Sequence, residues 1–479
     1  MTGLKRSLLG LFVLVLISTT VPAAATTSAT TSTGTSAASR SGESDRSTLL
    51  RYARDAWKSF VAMTDPATGL PHDNIGGDLS ASSRSGYTSP TNIGGYLWST
   101  VIARDLGLIS RSDAERRVGQ TLNTLDRLVH NEATGMFYNW YDPHTGAVLY
   151  ELPGTGEAIQ PFASSVDNGW LAASFMVVRN AMPGPTGRKA QALLDEMDFG
   201  VYYTANPTSQ HNVGGGLMRG GFYDFEPTNQ CVETATYQGT TLWKSCFHYD
   251  TAITEARISG YIGVSLGQVP QKWYFGPNRT FPSNCDWSWV EQRPVGQNAT
   301  YLGVSVYEGA YQYRGMQFVP SWGGDMFEAM MPAMFVPEER WGKRSWGVNH
   351  PVYVQGQIEH GLLDAKYGYW GFSPASNPFG GYNVYGVDEM GMDPGGYPSD
   401  REATNVDKGF EGCREGTPLP TFGDGVVTPH ASFLAMPVAS KAALDNLRKM
   451  ERNLDAYGPG GFYDSIAVRS DTAAKRYLA

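Results

Sequence analysis

The stretch His248-Tyr249-Asp250-Thr251-Ala252-Ile253-Thr254-Glu255-Ala256-Arg257-Ile258 decides how the chain is read. Ile258, Ile262 and Leu266 follow Glu255 at intervals of three, seven and eleven residues, the spacing of one helix face. A helix is predicted over Thr251–Leu266, with Asp250 as its N-cap and Gly267 where a C-terminal cap belongs. Glu255 then sits just past the first turn, on the face that its apolar neighbours bury. A carboxylate so placed is paired or protonated, because burying it alone is costly. Burial raises its pKa while the nearby helix N-terminus opposes the rise, the setting of a tuned acid. The competing reading is a structural ion pair such as Glu255–Arg257.

The same periodicity recurs on either side. Leu49, Leu50, Ala53, Trp57, Phe60 and Val61 mark a first helix, and Ile93, Leu97, Val101 and Ala103 a second, capped at Gly107. Ser112 with Glu115 reads as a capping box opening a third, carried by Val118, Leu122, Leu125 and Leu128. Further helices are predicted over 168–179, 189–197, 325–335, 352–365, 429–436 and 440–454. Long stretches rich in glycine and aromatics separate them, at about 65–90, 130–165, 200–249, 268–322 and 367–427. Loops of this length carry function or fold into short strands. The pattern predicts a mostly α chain whose long loops gather at one end as a cleft.

Three further segments place carboxylates among glycines and aromatic rings. Ser321-Trp322-Gly323-Gly324-Asp325-Met326-Phe327-Glu328 puts Asp325 and Glu328 at a helix start, where they serve the helix dipole or bind a ligand. Tyr385-Gly386-Val387-Asp388-Glu389, in the longest loop, carries Asp388 and Glu389 with Asp393 just beyond; calcium is the competing reading there, without EF-hand spacing. Ser164-Ser165-Val166-Asp167-Asn168-Gly169-Trp170 sets Asp167 at another helix start.

The N-terminus stands apart. Lys5 and Arg6, an apolar run from Leu8 to Ile17 and Ala23-Ala24-Ala25 form a secretory signal over residues 1–25. A Thr/Ser/Ala-rich linker over 26–44 follows, and residues 45–479 form one large domain. The expected product is secreted and free of the membrane. A net charge of -9 argues against nucleic acid. Aromatic residues at 12% against 17% charged suit a protein that handles neutral polymers, although most such rings serve packing. Four cysteines suggest two disulfides in an oxidising compartment; Cys231–Cys246 with Cys285–Cys413 is preferred because the first pair closes a short loop. The eight histidines are scattered and no zinc spacing occurs, so neither metal nor cofactor is expected.

The order of these motifs resembles the glucoamylase-like proteins acting on β-1,2-glucans: glycoside hydrolase family 144 and the transglycosylase domain of cyclic β-1,2-glucan synthases, family 189. The resemblance rests on Thr88-Ser89-Pro90-Thr91-Asn92-Ile93-Gly94, Phe137-Tyr138-Asn139-Trp140-Tyr141-Asp142, Ser165-Val166-Asp167 and Glu255-Ala256-Arg257. It continues through Ser321 to Pro332, Tyr385 to Glu389, Asp424 to Pro429 and Gly461-Phe462-Tyr463-Asp464. It departs around Cys285 and after Asp393. The resemblance implies an (α/α)6 barrel with a cleft at one end, a glucan substrate and two carboxylates. Glu255 matches the family's key glutamate, and Glu389 falls at the second catalytic glutamate of the synthase-like proteins, with Asp388 its rival and Asp167 in support.

Glu328, Asp325 and Arg257 are then candidates to bind substrate, and Trp140, Trp170, Trp322 and Tyr385 to form a sugar platform. Family 144-like enzymes invert and the synthase-like domains retain, so the roles of the two carboxylates stay open. A monomeric hydrolase is expected. A non-catalytic carbohydrate-binding barrel, a transglycosylase or glycosidase for another polysaccharide, and a lyase are the rival readings.

Overall fold

A computed structural model describes residues 43–207, 214–281, 292–392 and 425–479, and the backbone alone at 409–410 and 414–415. The predicted signal and most of the linker lie outside the described residues, as do Cys285, Asp393, Cys413 and Asp424.

The helices are α1 (Asp45–Met63), α2 (Pro90–Asp105), α3 (Arg111–Leu125), α4 (Ser165–Ala181), α5 (Pro185–Glu196), α6 (Arg257–Ser265), α7 (Met326–Met330), α8 (Glu338–Trp341), α9 (Trp346–Glu359) and α10 (Pro429–Asn453). Local chemistry sets most of their starts. Ser89 and Asn92 form a reciprocal capping box on α2, with Pro90 in the first turn. Ser164 caps α4 by accepting from the Asp167 amide. Gly107 and Gly267 take the left-handed conformation where helices end, at φ 71° and 73°. α3 corrects the sequence reading: Ser110, not Ser112, is its N-cap, accepting from the Asp113 amide at 3.1 Å. The two helices predicted over 429–436 and 440–454 both form: α10 spans them with a break at Ala439, at φ -138° and ψ 45°, just after Pro437.

The helix through Glu255 is shorter than predicted. It begins at Arg257, and Asp250 does not cap it. The reason is tertiary: the Asn278 amide donates to Asp250 O and the Ala252 amide to Asn278 O, so this segment pairs sideways instead of coiling. Glu255 therefore lies on the turn that leads into α6.

The chain is also less helical than expected, and mixed. The long loops contain short strands, including the hairpin Val295–Tyr301 with Val304–Tyr313 and the hairpin Val232–Tyr237 with Thr240–Ser245. The latter is closed by the expected Cys231–Cys246 disulfide. Strand Asn74–Gly76 pairs antiparallel with Arg476–Leu478, joining the two ends of the described fold.

The helices follow one another side by side. α1 packs on α2, α2 on α4, α4 on α6, while α7 meets α9 and α10, and α9 meets α10. α10 returns to α1, where Leu444 and Leu447 bury Tyr52 and Glu451 accepts from Arg51 and from the Tyr52 hydroxyl. α3 and α5 flank α2 and α4. One apolar core lies among α2 to α6, and a second among α7, α9 and α10. No helix of the described residues is long and apolar enough to cross a membrane.

Candidate active site

The segments singled out by sequence meet. The Trp322 amide donates to Ile253 O, which sets the 250–255 turn against the 321–328 segment. Ser321 pairs in parallel with Gly391, and the Val387 amide donates to Gly324 O. This junction needs glycine at 324, which has φ +68° and whose added Cβ would stand 2.0 Å from Val387 O.

Glu255 keeps partial exposure, and its Oε2 accepts from the Trp170 indole N–H at 2.7 Å. Its own amide donates to Glu328. Burial pushes the Glu255 carboxyl well above the usual range, and the Glu328 charge adds to this; Trp170 opposes it, Asp167 adds and Arg257 opposes. Asp325 caps α7 through the Glu328 amide, while its second oxygen is buried with no hydrogen-bond partner among the described residues. Burial and the Glu328 charge raise the Asp325 carboxyl well above its ordinary value, and burial raises Glu328 as well. Three carboxyl groups packed together in this way favour protons over charge.

Across from this cluster stands Asp167, half-buried, accepting from the Thr91 hydroxyl at 2.7 Å and from the Asn139 amide group at 3.1 Å. Trp140, also half-buried, meets the Tyr87 ring edge-on at 5.1 Å. Asp73 accepts from Asn74 and Asn92, and burial raises its carboxyl. Asp464 accepts from the Ser376 amide, and burial pushes its carboxyl up to about 6. His430 lies 3.9 Å from Asp464, but burial lowers its pKa to about 4. The Tyr382 hydroxyl feels Asp464, Glu255, Asp325 and Asp73 together, so these carboxyl groups surround one region. Sequence reasoning gave no role to Asp73, Tyr382, His430 or Asp464, although Asp464 stands in the Gly461–Asp464 motif and His430 in the predicted 429–436 helix; only the fold brings the four together.

Arg257 is not a ligand for substrate. Its guanidinium donates to both oxygens of Glu338, at 2.8 and 3.0 Å, and to the carbonyls of Thr254, Glu328 and Ala329. All five donors are used, and its ion-pair partner is Glu338, so the expected alternative of a Glu255–Arg257 pair also falls. Trp170 is 1% exposed and Tyr385 fully buried, so neither offers a ring face to a sugar; Trp140 and Trp322 keep partial exposure. Asp388 and Glu389 are buried on a short turn behind Gly323–Gly324. The Glu389 charge acts on Tyr313, while the charges that raise Glu255 most are Glu328 and Asp167.

Among the described residues no three His, Cys, Asp or Glu side chains are arranged to hold a metal ion. A surface cavity of about 550 Å³, lined by residues such as His130, Glu132, Asp195 and Gln268, shares no residue with the carboxylate region.

Residues 294–479 match the family model described as putative glucoamylase, and residues 51–199 match one described as a protein of unknown function, DUF3131. A stretch of 132 residues is 35% identical to a cyclic β-(1,2)-glucan synthase of Rhizobium meliloti, covering 27% of this chain and 4% of that much longer protein. Solved structures with a similar fold include an endo-β-1,2-glucanase from Chitinophaga pinensis in complex with sophorotriose and glucose, at TM-score 0.59 and 12% identity over 90% of this chain and 88% of the other. A β-1,2-glucanase from Parabacteroides distasonis gives 0.63 and 14%, over 91% and 55%. The endo-β-1,2-glucanase of Talaromyces funiculosus with sophorose gives 0.58 and 12%, over 91% and 82%. At these identities the likeness is one of fold. The glucoamylase-like resemblance read from the sequence, and the glycoside hydrolase class it implies, agree with these matches.

Proposed function

We propose that the chain is a secreted glycoside hydrolase that cleaves a β-1,2-linked glucan, with Glu255 as its proton donor. The observation that carries this is the setting of Glu255: partly exposed, held by Trp170, and driven toward its protonated form by burial and by Glu328. Glycoside hydrolysis needs such a neutral acid to protonate the leaving oxygen and a second carboxylate to attack or to activate water. Asp167 is the second carboxylate in this reading, because it is partly exposed and its charge bears on Glu255. Glu389 and Asp388, assigned that work by the sequence, lie buried on the 388–390 turn, and neither is among the largest charges acting on Glu255. Trp140 and Trp322 supply ring faces for the sugar. Linkage and substrate rest on the solved β-1,2-glucanases of similar fold.

The run of helices from α1 through α2, α4 and α6, and from α9 through α10 back to α1, supports the (α/α)6 barrel reading. Secretion, monomeric state and the single domain over 45–479 are part of the same proposal. A second reading, transfer of the glycosyl group to another sugar instead of water, is favoured by the stretch shared with the glucan synthase.

The test is release of reducing ends from linear β-1,2-glucan, beside β-1,3-, β-1,4- and α-1,4-glucans and arabinan, with product sizes read by chromatography. Shorter products from the β-1,2-glucan alone are expected. Products longer than the starting chains would favour transfer, and no change on any polymer would overturn the proposal.

A further inference from the structure

The hydrogen bond between Trp170 and Glu255 joins α4 to the turn that leads into α6, and the two helices pack together. Trp170 lies on α4, and its ring is wedged against Trp98 of α2, at 6.2 Å between ring centres, and against Phe335, at 5.5 Å. Beside it, Gly169 lets α6 approach: a Cβ there would meet Ile258 and the Ser259 backbone at 3.0 Å. An indole held this firmly has one polar atom, Nε1, and it is spent on Glu255 Oε2. Nothing else about a buried tryptophan requires a carboxylate at that point. Burying a ring this size against Trp98 and Phe335 is ordinary core packing; aiming its sole donor at a carboxyl group on a partly exposed turn is not needed for packing.

We infer that Trp170 is a positioning residue, whose indole N–H fixes the orientation of the Glu255 carboxyl. This rests on the reading of Glu255 as proton donor. The bond leaves Oε1 as the oxygen that carries the proton toward substrate, because the oxygen that accepts from the indole is the less basic position. The groups that face Glu255 are Glu328 and Asp325 from α7, Asp167 from α4, Arg257 from α6, and Tyr249 and Tyr382. Against the carboxylates, Trp170 is the neutral donor that favours the charged form of Glu255.

Trp170→Phe removes the donor and keeps an aromatic ring. Turnover on β-1,2-glucan is expected to fall roughly tenfold or more, with KM little changed. The high-pH limb of kcat should move upward by about one pH unit, since a hydrogen bond to the charged form is lost. Trp98→Phe, which disturbs the same packing without touching Glu255, should leave the limb in place. A Trp170→Phe enzyme that is slower with an unshifted limb would make Trp170 a packing residue and overturn the inference.

A second measurement does not depend on that variant folding or on the substrate. With 15N-indole labelling, one of the 12 tryptophan N–H resonances should titrate with pH in the native chain and be flat in Glu255→Gln. An absence of any such resonance would also overturn the inference. If the native chain cleaves no glucan but the resonance titrates, the functional reading fails and the hydrogen bond stands.

Discussion

Glu255→Gln keeps the size of the side chain and removes its proton and charge. Turnover should fall by about 10²–10⁴, with the melting temperature held or raised, because Arg257 is neutralised by Glu338 and loses nothing. A stable variant with near-normal turnover would move the chemistry elsewhere. Asp464 offers a test of electrostatics on the same site. Its folded pKa of about 6 lies above the ordinary value of 3.8, so the stability it lends is full below pH 4 and is lost as pH rises through 6. The loss amounts to about 3 kcal/mol. Urea unfolding at pH 4 and pH 7 should show that difference shrinking in Asp464→Asn; an equal pH dependence in both proteins would mean Asp464 ionises freely. At this scale the isoleucine stripe pointed to Glu255, but not to its setting: Glu255 lies on the turn before Arg257, where α6 begins, and not on a helix face. Trp170 and Tyr385 were read as platforms because sequence shows that a ring is present but not that it is buried.

Among the elements, the α6–α8 junction depends on the Arg257–Glu338 pair, which is almost wholly buried, with side-chain exposures of 3% and 1%. Glu338→Gln leaves a buried guanidinium without its counter-charge and should cost about 3–5 kcal/mol, read as an earlier urea midpoint. Turnover should fall as well, because Arg257 also ties the Thr254 and Glu328 carbonyls on either side of Glu255. Gly324→Ala should be as damaging, through a strained φ and a clash with Val387 O. A Gly324→Ala protein with native stability and turnover would show that the 321–325 and 385–391 segments can separate without harm. α2 and α4 were read from their apolar spacing but not from their caps, Ser89 and Ser164, and α4 starts at Ser165, ahead of the predicted 168. The start of α6 could not be read, because its N-cap candidate is claimed by Asn278, 28 residues further on, and no local pattern reports such a partner.

For the molecule as a whole, many strands in the long loops are only two or three residues long and show no alternation, whereas the longer hairpins, 232–245 and 295–313, lay in stretches read only as loops or short strands. The disulfide was legible because a sequence separation of 15 makes a short closed loop. Replacing Cys231 and Cys246 by serine should cost about 3 kcal/mol and leave turnover nearly intact, as neither cysteine is among the groups that bond to Glu255 or shift its carboxyl most. Comparable loss of activity would place that hairpin at the substrate.

The parallel pairing of Ser321 with Gly391, and the bond from Trp322 back to Ile253, join residues about seventy positions apart. The consequence is one of timing. Neighbouring helices such as α2 with α3 and α4 with α5 meet through contacts close in sequence, which form early. The junction must close two long loops before it gains anything, and that search is slow. Refolding from urea should therefore restore the far-ultraviolet dichroism of the helices first and turnover on glucan only afterwards. Simultaneous recovery of both signals would mean that the site assembles together with the helices that carry it.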